Sequence, residues 1–183
     1  KEIKSDSRKN AGFGQGSAIM ERPTWNEYFS QFAFLAATRS HDSQTKVGCV
    51  LVYENRIISV GYNGFCSGVN ESNLPVTRPY KYPYMVHAEE NAISNMLIKP
   101  SGNITAYITH TPCGGCAKLL WQNNIRSWKI PKGRNVKSHC VEDRIVYNHL
   151  IDNGLLLERI TPIRSYLNEL IEGKENQKQP LLF

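Results

Sequence analysis

No run of apolar residues in this chain approaches the roughly 20 needed to cross a bilayer as a helix, although 40% of its 183 residues are hydrophobic. No membrane partner is therefore expected, and the apolar content suits one globular core. The basic, apolar, small-residue order of a signal peptide is missing as well. No internal repeat and no sign of a second domain interrupt the chain. Cysteine is scarce: there are five, an odd number at irregular spacing. A chain of this size needs no disulfide staples, so a reducing compartment, the cytoplasm, is expected, with any clustered cysteines bound to metal. Acidic charge is in deficit, with 16 Asp and Glu against 22 Lys and Arg, a formal net charge of +6. The surplus reads either as attraction for an anion, nucleotide phosphate or nucleic acid, or as a solvated basic surface. Only Lys129, Lys132, Arg134 and Lys137 are dense enough to form a patch.

Residues 1–19 are rich in glycine, serine and charge without periodicity, and read as a flexible arm or a vector-derived leader. Residues 20–183 read as one domain with a short polar C-terminal tail. "RPTWNEYFSQFAFLAATRS" opens with Thr24 and Glu27 at capping-box spacing and predicts a helix whose apolar face is Trp25, Tyr28, Phe29, Phe32 and Ala36. "VGCVLVYENRIISVGYN" predicts two strands turning at Glu54-Asn55. Residues 64–85 read as loop. A helix from about His87 to Leu97 follows, with Ala88, Ala92, Ile93, Met96 and Leu97 on its apolar side. Strand "NITAYITH", helix "CAKLLWQNN", strand "IRSWKI", helix "VEDRIVYNHLIDNG" and strand "LLLERI" come next, then a short helix in "PIRSYLNELIE". Strands alternating with helices predict an α/β sandwich.

Two stretches carry chemistry, "VHAEENA" at 86–92 and "TPCGGCAK" at 111–118. Cys113 and Cys116 fall where a strand gives way to a helix, and residues three apart there can turn toward one point. The positive end of the helix dipole favours their thiolates. With His87, at the start of the preceding helix, they make three ligands for Zn²⁺, at about 2.3 Å for sulfur and about 2.0 Å for nitrogen. Three ligands leave a tetrahedral position for water, the pattern of a catalytic rather than a structural site. Cys49 reads as core; Cys66, Cys140 and His110 remain alternatives for a fourth, closing ligand. Glu89, two residues beyond His87, is placed to shuttle protons between water and a leaving group, although an isolated helix glutamate is usually just solvated.

His-Ala-Glu followed by Pro-Cys-x-x-Cys resembles the signature of zinc-dependent nucleobase deaminases. Together with "RSHDSQTKVGCVLV", "GYNG" and "KYPYMVHAEENAI", it resembles the deoxycytidylate branch of the cytidine deaminase superfamily over about residues 23–130. The resemblance implies a three-layer α/β/α fold with a five-stranded mixed sheet, one zinc per subunit, and hydrolysis of dCMP to dUMP and ammonia for dTTP synthesis. It implies that His87, Cys113 and Cys116 hold zinc and that Glu89 moves protons to the base. Asn63 of "GYNG" would contact the sugar, or serve only as a turn former. The backbones of Ala88 and Thr111 would hold the base. By the same resemblance, the loop "GFCSGVNES", with Gly64, Gly68 and Asn70, would form an effector site. There dCTP with Mg²⁺ activates and dTTP inhibits a homohexamer.

After residue 130 the chain departs from that family, with the basic "PKGRNVKSHCVEDR" where relatives have an acidic, tyrosine-containing stretch. The number of phosphates and the substitution of the base therefore stay open, and dCTP or a 5-substituted deoxycytidine nucleotide is an alternative substrate. The other alternative is a base-editing enzyme acting on nucleic acid, with Tyr80, Tyr82 and Tyr84 as stacking surfaces; nucleic acid is not the expected partner.

Overall fold

Thr24 starts the first helix as the spacing predicts. Its hydroxyl accepts the Glu27 N–H at 3.3 Å, and Glu27 Oε2 takes the Thr24 N–H at 2.7 Å. This reciprocal cap satisfies donors that a helix start otherwise leaves orphaned. The helix is α1, Trp25–Thr38, in a computed structural model that describes residues 23–133 and 140–161. The leader at 1–19, residues 134–139 of the divergent stretch and the helix expected in "PIRSYLNELIE" lie outside the described residues.

Strands β1 (Gly48–Tyr53) and β2 (Arg56–Tyr62) form the expected hairpin. Tyr53 pairs with Arg56, so Glu54 and Asn55 are its two-residue loop, with φ of 47° and 57°. Positive φ at both positions gives a turn whose twist matches that of the strands. Residues 64–85 are not all loop. Gly64–Phe65 (β3) pairs antiparallel with Met85–Val86 (β4), and one turn of 3-10 helix spans Tyr82–Tyr84. Pieces this short carry no readable period. Then come α2 (Ala88–Ser94), β5 (Thr105–Ile108), α3 (Gly114–Gln122), β6 (Ser127–Pro131), α4 (Val141–Asp152) and β7 (Leu156–Ile160).

The main sheet has five strands in the order β2-β1-β5-β6-β7. β1 runs antiparallel to both neighbours, while β5, β6 and β7 are parallel. The sheet is mixed, as expected. Side chains alternate across it, and each face is covered. Cys49 and Leu51 join Ala88 and Ala92 of α2, Leu120 of α3 and Leu150 of α4. Val50 and Val52 meet Phe29 and Ala33 of α1. This is the three-layer α/β/α arrangement, and each buried leucine or valine contributes about 1.5–3 kcal/mol.

Gly61 lets α2 settle directly onto β2. A Cβ there would lie 2.2 Å from Ala88 O and 2.3 Å from Ala92 N. The strand that leads into Asn63 and the helix that begins at His87 are thereby pressed together.

Two expectations about apolar faces are corrected. α2 stops at Ser94 with Asn95 as its C-cap, so Leu97 lies beyond the helix and is 95% exposed. Asn95 Nδ2 donates to Val60 O instead, at 3.1 Å. On α1, Trp25 and Tyr28 are exposed, and the face against the sheet is Phe29, Ala33, Ala36 and Ala37. Small side chains bring the helix close to the strands. The larger rings stack on one another at the edge, Trp25 on Phe29 at 5.4 Å between centroids.

Candidate metal centre and active-site cleft

Two helix starts face each other beside the sheet. His87 is the N-cap residue of α2, and its backbone N–H is taken by Glu90 Oε2 at 2.7 Å. Cys113 is the N-cap residue of α3, its sulfur accepting the Cys116 N–H at 3.5 Å. His87 Nδ1 lies 3.6 Å from Cys113 Sγ and 3.3 Å from Cys116 Sγ. The ligand atoms of the three residues all lie within 4.8 Å of one another, the one such group of His, Cys, Asp and Glu among the described residues. Cys49 is in the core, as expected, and Cys66 and Cys140 are exposed and outside the group. His110 lines the same cleft but is not part of the group either. An imidazole with two thiolates is a donor set that zinc favours, and three ligands leave its fourth position to water or substrate.

Two of the three ligands, His87 and Cys113, border a cleft of about 280 Å³. His87, Ala88, Glu89, Asn63, Thr111 and Cys113 all line it, while Cys116 is buried behind. Residues from three separate stretches of the chain are thus brought to one place, as the motifs imply.

Residues 23–131 match the family described as the cytidine and deoxycytidylate deaminase zinc-binding region. The chain belongs to that deaminase family. Deoxycytidylate deaminases of Pongo abelii and Homo sapiens are each 41% identical to it over 109 residues, 56% of this chain and 61% of theirs. The chain therefore covers less than two thirds of those relatives. A dCMP deaminase from the cyanophage S-TIM5, crystallised with dCMP and dUMP, shares the fold at a TM-score of 0.61 and 24% identity, over 76% of this chain and 99% of that one.

In this member of the deaminase family, the electrostatics of the cleft follow from who shares hydrogens with whom. A hydrogen bond from Cys116, with another from His87, pulls the Cys113 thiol down to about 3 despite burial. The same shared hydrogen, with burial, pushes the Cys116 thiol up. His87 is raised to about 9, chiefly by its hydrogen bond to Cys113. Sharing hydrogens in this way favours thiolate character at the cysteine pair, the form in which sulfur binds a metal. Burial lifts the Glu89 carboxyl to about 7, while its own backbone N–H and the His87 charge act in the opposite direction.

Asn63 is less available than the motif implies. Its Nδ2 donates to Thr45 O at 2.9 Å and to Asp42 Oδ2 at 3.4 Å, and its Oδ1 accepts the Val47 N–H at 2.7 Å. Both amide hydrogens are committed, which leaves one lone pair of Oδ1 for a ligand hydroxyl.

The ion pair behind Asn63 has no counterpart in the sequence reading. Lys81 Nζ lies 2.6 Å from both oxygens of Asp42, with both side chains buried. Burial acts to raise the Asp42 carboxyl. The Lys81 hydrogen bond and the N–H groups of Gln44 and Thr45 outweigh it and hold the group below its ordinary value. The partners are 39 residues apart, a separation no local pattern reports. Arg78, exposed at the mouth, bonds the Thr45 hydroxyl and was equally invisible in the sequence.

Gly64 and Gly68 line a second cavity of about 540 Å³, together with Arg39, His41 and Asn91. Asn70 does not line it; its Oδ1 accepts the Ser72 N–H at 3.0 Å and closes its own turn. No helix among the described residues is long and apolar enough to cross a membrane.

Proposed function

We propose that this chain hydrolyses dCMP to dUMP and ammonia, supplying dUMP for dTTP synthesis in the cytoplasm. The observation that carries the reading is the placing of Glu89: a buried carboxyl two residues from His87, in the wall of a cleft beside a zinc donor set. Burial raises this carboxyl, the direction that suits a group taking and giving protons. His87, Cys113 and Cys116 would hold one zinc per subunit, which would supply Lewis-acid activation of water. Glu89 accepts the proton that water loses as it adds to the base and passes it to the ring nitrogen, then takes the proton of the new hydroxyl and passes it to the amine, which departs as ammonia. The remaining lone pair of Asn63 Oδ1 accepts a sugar hydroxyl, and the Ala88 and Thr111 backbones hold the base. Arg78, beside the Thr45 hydroxyl, offers a guanidinium to the phosphate.

A panel of deoxycytidine, dCMP, dCTP, 5-substituted dCMP, CMP, single-stranded DNA and tRNA tests the substrate. We expect dCMP to give the highest kcat/KM. A second reading, deamination of single-stranded nucleic acid, draws on the exposed rings of Tyr80, Tyr82 and Tyr84. Faster turnover of an oligonucleotide would decide for that reading and against dCMP.

We further propose that the second cavity takes nucleotide effectors, dCTP with Mg²⁺ as activator and dTTP as inhibitor, in a homohexamer. Its support is its glycine-containing wall and the Arg39 and His41 side chains beside it. The enzyme should give a sigmoidal dCMP curve that dCTP makes hyperbolic and dTTP moves to higher concentration, with coupling of about 5- to 150-fold. Curves unmoved by either nucleotide at millimolar concentration would remove the effector role and leave the catalytic reading intact.

A further inference from the structure

The family match ends at residue 131, yet three side chains from beyond it hold the loop that carries Cys113. Arg159 Nη1 of β7 donates to Thr111 Oγ1 at 3.1 Å. Tyr147 Oη of α4 donates to the Pro112 carbonyl at 2.8 Å. The Gly114 N–H donates to Asp143 Oδ1, also of α4, at 2.5 Å. Asp143 and Tyr147 stand one helical turn apart, on the same face of α4. Their two bonds therefore fall on the peptide units immediately before and after Cys113.

Each of the two bonds answers a local need. Cys113 occupies the N-cap position of α3, where a side chain ordinarily satisfies the first free N–H groups. A sulfur shared with Cys116 N–H and with a metal cannot also serve the Gly114 N–H. Asp143 serves it from the neighbouring helix. A Cβ at Gly114 would lie 2.5 Å from Asp143 Oδ1, so the carboxylate reaches this backbone only because residue 114 is glycine. The Tyr147 ring is held edge-on against Trp128, centroids 5.9 Å apart at 86°, which fixes where its hydroxyl points. Trp128 is wholly buried and donates in turn to Ile125 O at 2.7 Å.

We propose that Asp143 and Tyr147 are positioning residues that clamp the backbone on both sides of Cys113, presetting its sulfur beside His87 and Cys116 so that zinc binds tightly. The proposal rests on the zinc reading of that centre. A loop already ordered before the ion arrives loses less freedom on binding, and partners that orient metal ligands typically change metal affinity about 10- to 100-fold. Although α4 lies beyond the family match, it supports the metal loop from behind through this clamp.

The test is zinc transfer from the loaded 183-residue chain to a chromogenic chelator, read as equilibrium and as rate, for wild type, Tyr147→Phe, Asp143→Ala and Asp143→Asn. Tyr147→Phe and Asp143→Ala should each hold zinc about 10- to 100-fold less tightly. Asp143→Asn keeps an acceptor oxygen and should recover most of the loss. Unfolding of the metal-free proteins separates this from general weakening, because a purely structural role lowers that stability and leaves the zinc affinity of folded protein unchanged. Tyr147→Phe removes one oxygen and keeps the ring against Trp128, so it carries the test even if Asp143→Ala fails to fold. Wild-type zinc retention in both Tyr147→Phe and Asp143→Ala overturns the clamp and leaves the metal centre standing. A wild-type protein that takes up no zinc overturns both.

Discussion

On one side of the cleft, Lys81 Nζ sits 2.6 Å from each oxygen of Asp42, and Asp42 in turn holds the turn at Gln44 and Thr45 and touches Asn63. On the other, the Thr111–Gly114 loop is held by hydrogen bonds with Arg159, Tyr147 and Asp143, two of them onto backbone groups. The first side is fastened by a buried charge pair, the second by bonds that α4 and β7 bring in one at a time. These fastenings fail differently. A buried pair adds little net stability over apolar residues, but removing one partner strands the other's charge. Losing the Tyr147 bond costs about 0.5–1.5 kcal/mol and a bond to the charged Asp143 or Arg159 about 1.5–3 kcal/mol, and neighbouring bonds still hold. The Asp42 side is therefore all-or-none, and the α4 side is adjustable by single substitutions.

The largest effect should come from a change that touches neither side. Glu89→Gln keeps the size and burial of the side chain and removes its proton chemistry. We expect turnover to fall about 100- to 10,000-fold, with zinc content and unfolding midpoint close to wild type. A Glu89→Gln enzyme with most of its rate would deny the residue its role, and a large loss of stability would make Glu89 part of the fastening itself. Lys81→Met comes next. It leaves the Asp42 carboxylate buried without its cation, so denaturant unfolding should show a loss of about 3–5 kcal/mol, larger than for Tyr147→Phe. Adding Asp42→Asn to Lys81→Met should return much of it, since the stranded charge is then gone. Equal losses in Lys81→Met and Tyr147→Phe would erase the distinction between the two sides.

How much of this was legible in the chain itself follows the same division. That His87, Cys113 and Cys116 come together could be read because metal ligation imposes spacing within each motif, and the hairpin at Glu54-Asn55 because its residue types fit its turn. The five-stranded mixed sheet came with the family resemblance and stands. Leu97 was misread because its apolar character suited a helix that Asn95 ends first. Trp25 and Tyr28 were misread because large rings dominate a helical wheel, whereas close approach to a sheet selects alanine. Asp42 with Lys81, and Asp143 with Gly114, are pairs joined only by the fold. Asp42, Lys81 and Asp143 each look in sequence like an ordinary solvated charge. The divergent stretch after residue 130 was marked as a departure, but its supporting role on the Cys113 loop depends on α4 packing beside α3, which no local pattern states.

The smallest effect sharpens the contrast through pH. Asp42 has a folded-state value below the ordinary one, so between the two values the unfolded chain binds more protons than the folded one. Stability therefore rises with pH across that window. The contribution of Asp42 is fully present above its ordinary value, near 4, and is lost as acid carries the pH down through the lowered one. Each unit of the lowering corresponds to about 1.4 kcal/mol. Urea unfolding from pH 6 downward should show wild type losing stability more steeply below about pH 4 than Asp42→Asn, because the amide has no proton to gain. Tyr147→Phe, which changes no group titrating in that range, should run parallel to wild type at a constant offset. An Asp42→Asn curve parallel to wild type through the acid limb would mean that the Lys81 pair does not hold the carboxyl down, and that charge is not what fastens that side of the cleft.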